Sequence, residues 1–172
     1  MYLNCESNQL TTLDVSKNTL LEELTCGKNL FEELTITNME NLVLLNIVNC
    51  PALKTLKCQS NHLNILYITG NAALETLFCQ VNYLKDLDLS GCTSLKQLRS
   101  FNNMMSNLDI SGCTSLYLYN SNASSFCMVG NQYADENQNS YQEMTLKARA
   151  DDTTNLNTNT LFNNDHVTVI RE

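Results

Sequence analysis

The apolar positions of this chain recur in short alternating runs and never in helical stripes. The clearest run is Leu74 to Leu98, LETLFCQVNYLKDLDLSGCTSLKQL. It reads L-x-x-L-x-C-x-x-N-x-L and then x-x-L-D-L-S-x-C-x-x-L, two apolar patterns head to tail. Relatives of this stretch tile the chain from Leu3 to about Phe126. The first leucines of successive units fall at Leu3, Leu13, Leu24, Leu34, Leu45, Leu56, Leu66, Leu77, Leu87, Leu98 and Leu108. The steps between them are 10 or 11 residues throughout. Within a unit, the first Leu and the residue two further on alternate with polar residues, the period-2 signal of a strand with one buried face. Each pattern is too short for a helix. Small or polar residues follow, such as Thr69-Gly70 and Ser90-Gly91, and these suit a corner. Each unit therefore predicts one short strand and a turn, and two units make one coil. The expected architecture is a thin solenoid with a parallel sheet on each side, its coils stacked at about 4.8 Å.

The order of the units carries further information. Units with Cys at the second inward position begin at Leu3, Leu24, Leu56 and Leu77; the unit at Leu98 has Ser100 in that slot. Between Leu24 and Leu56 stand two Ile-type units in succession, LTITNM and LNIVNC. One extra half-coil moves every later Cys-type strand to the opposite sheet. Cys5 and Cys26 are thus expected on one side, and Cys58 and Cys79 on the other. The same spacing puts the unit after Leu108 at Tyr119, with Ser121, Ser124 and Phe126 inward. A register from Leu118 fits Leu better but leaves Phe126 unplaced.

These units resemble the leucine-rich repeats, specifically the bacterial class of 21-residue repeats with a nested 10/11-residue half-period. The resemblance implies a right-handed leucine-rich-repeat solenoid of the α/β horseshoe class, here β-rich with few or no helices. It has about six coils and a β-rich C-terminal cap. It also implies a non-catalytic recognition or interaction scaffold, secreted or at the cell surface, with a protein or glycan as ligand. The solenoid is assigned to residues 1–126 and the cap or tail to 127–172. In the tail, 131–142 reads as a polar loop, EMTLKA at 143–148 as a last strand, and HVTVI at 166–170 as a terminal strand. Such a tail can cover the open end of a coil. The start is different: Met1 is followed at once by a repeat. The chain therefore reads as part of something longer, and its first coil as uncapped and open to end-to-end self-association.

Composition narrows the function. The net charge is −8, and an acidic surface lacks the basic footprint that nucleic acids need. No apolar run approaches the roughly 18 residues of a membrane span. The 8 cysteines suggest a disulfide or metal framework, but their positions argue against one. Cys5, Cys26, Cys58 and Cys79 are inward strand positions. Cys50, Cys92 and Cys113 stand where other units carry Asn. Cys127 alone lies outside the pattern. A reduced Cys in a core behaves as a small hydrophobe, so no metal or cofactor is expected. Asn8, Asn18, Asn29, Asn61, Asn71, Asn82 and Asn103 recur at one place in the unit, where an amide can satisfy turn groups of its own and adjacent coils.

Catalytic chemistry finds no footing. His62 and His166 lack the nucleophile and orienting group that catalysis requires. Asp151, Asp152, Asn155 and Asn157 do not match a calcium-loop spacing, and the sequon at Asn122 is ascribed to chance. The outward columns carry the candidate site instead. On the sheet built from the units at 13, 34, 56, 77 and 98, the residue between the inward ones is Asp14, Thr35, Lys57, Phe78 and Arg99. The next outward column is Ser16, Thr37, Gln59, Gln80 and Phe101. Lys57, Phe78, Arg99 and Phe101 form an aromatic and basic patch on an acidic protein, the composition of binding hot spots. The matching column of the other sheet, with Tyr67, Asp88 and Asp109, is plainer. A recognition module is the first reading and a structural spacer for another domain the second.

Overall fold

The computed structural model describes residues 1–105, 107–110 and 112–116, together with the strands at 126–127, 144–148 and 167–171. Tyr119, Asn122, His166, the loop at 131–142 and the candidate calcium residues at 151–157 lie outside the described residues. Among the described residues there is no helix. The strands are β1 (Tyr2–Asn4), β2 (Glu23–Thr25), β3 (Glu33–Thr35), β4 (Leu44–Asn46), β5 (Thr55–Lys57) and β6 (Ile65–Tyr67). They continue with β7 (Thr76–Phe78), β8 (Gln97–Arg99), β9 (Asn107–Asp109), β10 (Phe126–Cys127), β11 (Met144–Ala148) and β12 (Val167–Arg171). Sheet A has the order β1-β2-β4-β6 and sheet B the order β10-β8-β7-β5-β3, and every pairing is parallel. The protein is a β-solenoid of about five turns. Parallel neighbours need a long crossover, and here the crossover is the strand and corners of the opposite side of the coil.

The leucines explain the register. Leu3 pairs with Leu24, Leu24 with Leu45 and Leu45 with Leu66 in sheet A. Leu34, Leu56, Leu77 and Leu98 are register partners in sheet B. From Leu24 onward these side chains are buried and face the narrow interior from both sides. Each buried Leu is worth about 1.5–3 kcal/mol. That stabilisation is shared between adjacent coils only, as in any solenoid. A one-residue slip would turn a whole leucine column to solvent. The expected change of sides is present: Cys26 follows β2 of sheet A, whereas Cys58 and Cys79 follow β5 and β7 of sheet B.

Two expectations are corrected. The units at Leu13 and Leu87 form no strand, although Leu87 is buried and Leu13 packs against the core. In both units an aspartate carboxylate takes the amide two residues on, Asp14 with Ser16 at 2.9 Å and Asp88 with Ser90 at 2.8 Å. Beside Leu98 stands Phe126, not Tyr119; the strand partner is chosen by long-range contact and not by the repeat count. Further on, β11 pairs with β9 and β12 with β11. Leu146 sits in register with Leu108, so these strands extend the solenoid's own parallel pattern.

Candidate functional site

The patch residues are placed by the ladder of sheet B. Thr35 pairs with Lys57, Lys57 with Phe78 and Phe78 with Arg99. Each is the central outward residue of its unit because the leucine before it and the Cys, Ile or Ser after it face the core. Coil stacking therefore brings Lys57, Phe78 and Arg99 into one column. Phe101 lies in the next outward column, two residues beyond Arg99. All four are half-buried. The guanidinium of Arg99 lies over the Phe78 ring, 4.5 Å from its centroid, a cation–π contact. Lys57 makes no ion pair among the described residues. Gln59 and Gln80 precede Phe101 in its column, and the Oε1 atoms of both are buried without a hydrogen-bond partner. Along the start of the same sheet, Lys54 pairs with Glu32 at 3.0 Å and Lys96 with Glu75 at 2.9 Å. These pairs are exposed and contribute little stability. Strand β10 adds beside β8 in the plane of the sheet, with Cys127 in register with Arg99.

Sequence reading missed two features. On sheet A, Leu44 and Ile65 are register partners, as are Asn46 and Tyr67. Ile65 is 40% and Tyr67 49% exposed. Leu44 and Ile65 occupy the outward position before the inward leucine, a column that the sequence also displays. The second feature is a corner cleft of about 300 Å³ bordered by Glu40, His62, Val81 and Tyr83. Glu40, His62 and Tyr83 succeed one another at steps of 22 and 21 residues, which is one coil each.

Behind both faces the corners are closed by Asn and Cys side chains. Asn71 Nδ2 donates to the carbonyls of Ile47 at 2.9 Å and Ile68 at 2.7 Å, and its Oδ1 accepts the Cys50 N–H at 2.8 Å. Asn29, Asn61, Asn82 and Asn103 do the same in their coils. Asn18 does not join them and is exposed. Where Cys replaces Asn the thiol reaches the same carbonyl of the preceding coil: Cys50 Sγ lies 4.0 Å from the Cys26 oxygen, and Cys92 Sγ 3.7 Å from the Ile68 oxygen.

The seven cysteines from Cys5 to Cys113 are free, and all but Cys5 are buried. Burial disfavours the thiolate. It pushes Cys79 up to about 12, Cys92 up to about 11, and Cys26, Cys50 and Cys58 upward as well. Cys5 is raised by the same cause. Because the thiolate is the reactive form, these are packing groups.

The class that these features define is a repeat β-solenoid with two parallel sheets, free buried cysteines and an asparagine ladder. Neither a family model nor a curated protein matches the sequence. Among solved structures, the chain is similar to one described as "Functional domain of InlJ from Listeria monocytogenes includes a cysteine ladder", at 27% identity and a TM-score of 0.36. The match covers 86% of this chain and 34% of that one, so this chain spans about a third of its length. At that TM-score the description of the fold rests on the strands and registers given above.

Proposed function

We propose that this chain is a non-catalytic recognition module that engages a protein or glycan ligand through the outward face of sheet B. The carrying observation is the Lys57, Phe78 and Arg99 column, with the Arg99 guanidinium stacked on the Phe78 ring. The stack holds the cation in place before binding, which reduces the ordering cost of association. The two cations favour a ligand rich in carboxylates or exposed carbonyls. Phe78 and Phe101 supply apolar or stacking contact. The leucine-rich character of the units supports a place outside the cell, in a secreted or surface protein. Buried thiols with raised pKa values fit such a place, since they resist oxidation without forming disulfides.

The regular ladder behind the sheets supports a second reading, a rigid spacer for another domain. Arrays of acidic and neutral glycans and of peptides separate the two. Retention of a defined ligand, reduced by Phe78→Ala and by Arg99→Ala, supports recognition. Absence of any array ligand, or a ligand that both variants bind as the parent does, removes the proposal.

A further inference from the structure

The corner that joins sheet B back to sheet A contains a strained residue beside an ordered ring pair. Nine described corner residues of the solenoid have positive φ. On the sheet B side these are Asn38, Ser60, Val81 and Asn102. Asn and Ser tolerate or locally stabilise this conformation. Val81 is β-branched, has φ of 57° and is 43% exposed. A β-branched residue there is an outlier that persists only where the surroundings enforce it, and such outliers gather at ligand sites.

Val81 forms a wall of the cleft. Two residues on, Tyr83 stacks on His62, with ring centroids 5.2 Å apart and planes 13° apart. His62 Nδ1 is hydrogen-bonded to the Glu40 carbonyl oxygen. A carbonyl can only accept, so Nδ1 carries a proton, and in the neutral ring Nε2 is left as an acceptor. The cleft thus combines an apolar methyl pair, an aromatic ring and several neutral hydrogen-bonding groups: His62 Nε2, the Tyr83 hydroxyl, the Ser60 hydroxyl and the Asn102 amide. None of these four groups has a hydrogen bond within the protein among the described residues. The amides of Asn61 and Asn82 also border the cleft but are committed to the ladder.

We infer that this corner cleft binds one neutral pyranose sugar residue. The inference stands apart from the reading of sheet B, since no residue of that patch lines the cleft. Size and chemistry select the ligand. A volume of about 300 Å³ is at the small end of ligand sites and suits a single ring. A pyranose offers hydroxyls around its rim and an apolar C–H face, matching the mixture of neutral acceptors and donors around Val81 and Tyr83. An anionic ligand is disfavoured because Glu40 is the one Asp, Glu, Lys or Arg among the described residues that line the cleft.

The test is an amide and side-chain NMR titration of the full chain with the methyl glycosides of glucose, galactose, mannose and N-acetylglucosamine, and with methyl glucuronide as the anionic contrast. The expected result is saturable movement of the His62, Val81 and Tyr83 signals by at least one neutral glycoside. Tyr83→Ala should weaken that binding by about tenfold or more. Tyr67→Ala, on sheet A, should leave it unchanged. Circular dichroism checks folding, and His62→Asn replaces Tyr83→Ala if the latter does not fold. The inference is overturned if no neutral glycoside moves these signals, if glucuronide alone does, or if the movement survives in the cleft variant.

Discussion

Arg99 and Phe78 are register partners across β8 and β7, and the guanidinium carbon of Arg99 stands 4.5 Å from the Phe78 ring centroid. The spacing of parallel strands, about 4.8 Å, is close to the separation that a stacked cation and ring prefer. The solenoid thus creates the contact by stacking one coil on the next.

Phe78→Ala and Arg99→Ala should each weaken binding of a ligand held by sheet B about thirtyfold, the effect of removing a hot-spot residue worth about 2 kcal/mol. Both side chains project outward from leucine-anchored strands, so the circular dichroism spectrum should stay that of the parent. Isothermal titration against an array-identified ligand gives the measurement. Unchanged affinity in both variants would contradict the assignment.

Asn71→Ala should cost about 3 kcal/mol. It strands two buried carbonyls, Ile47 and Ile68, and the Cys50 amide, and each unsatisfied buried group costs about 1–3 kcal/mol. Asn71→Cys should cost less, because a thiol already serves as the weak donor at positions 50 and 92. Asn8→Ala, at an exposed site, should stay within about 0.5 kcal/mol of the parent. Urea unfolding ranks the three.

Val81→Asn should stabilise the protein by about 1 kcal/mol, by relieving a β-branched residue held in the left-handed region. Gly70→Ala should act in the opposite sense, with a loss of about 2 kcal/mol. Gly70 has φ of 75°, and a Cβ there would lie 2.2 Å from the Asn49 Oδ1. Equal unfolding midpoints for the parent and Val81→Asn would show that the corner is not strained.

Stability should fall as pH rises above about 9. A buried thiol keeps its proton in the folded chain, with Cys79 at about 12 against an ordinary value of 9.0. The unfolded chain loses that proton first. Between these values the unfolded state binds fewer protons, so the free energy of unfolding decreases with pH. The stability contributed by the protonated thiol is fully present below pH 9 and lost as pH approaches 12. The slope is about 1.4 kcal/mol per pH unit for each such thiol. Cys79→Val should flatten the alkaline limb by one thiol's share in urea titrations from pH 8 to 10.5. Among the cysteines from Cys5 to Cys113, half-buried Cys5 should label first with a thiol reagent in the native protein. Early labelling of Cys58 would contradict the buried ladder.

Much of this molecule was determined by the sequence alone. The spacing of Leu, Cys and Asn defines the coil, the two sheets and the inward columns. Counting half-coils places Cys26 and Cys58 on opposite sides, as the strand order shows. The Lys57, Phe78 and Arg99 column followed from the same counting, because stacking identical units converts sequence period directly into spatial register.

The tertiary structure decided what the period does not encode. It placed Phe126 beside Leu98, since a partner at the end of the array is selected by long-range packing and not by local pattern. It left the units at Leu13 and Leu87 without strands. It also assembled the Val81 corner with the His62 and Tyr83 pair. These residues break the consensus of their positions, and their contacts run between coils. A repeat pattern specifies which residues stack, but the orientation of their side chains and the strain at the turn arise only once the coils are closed against each other.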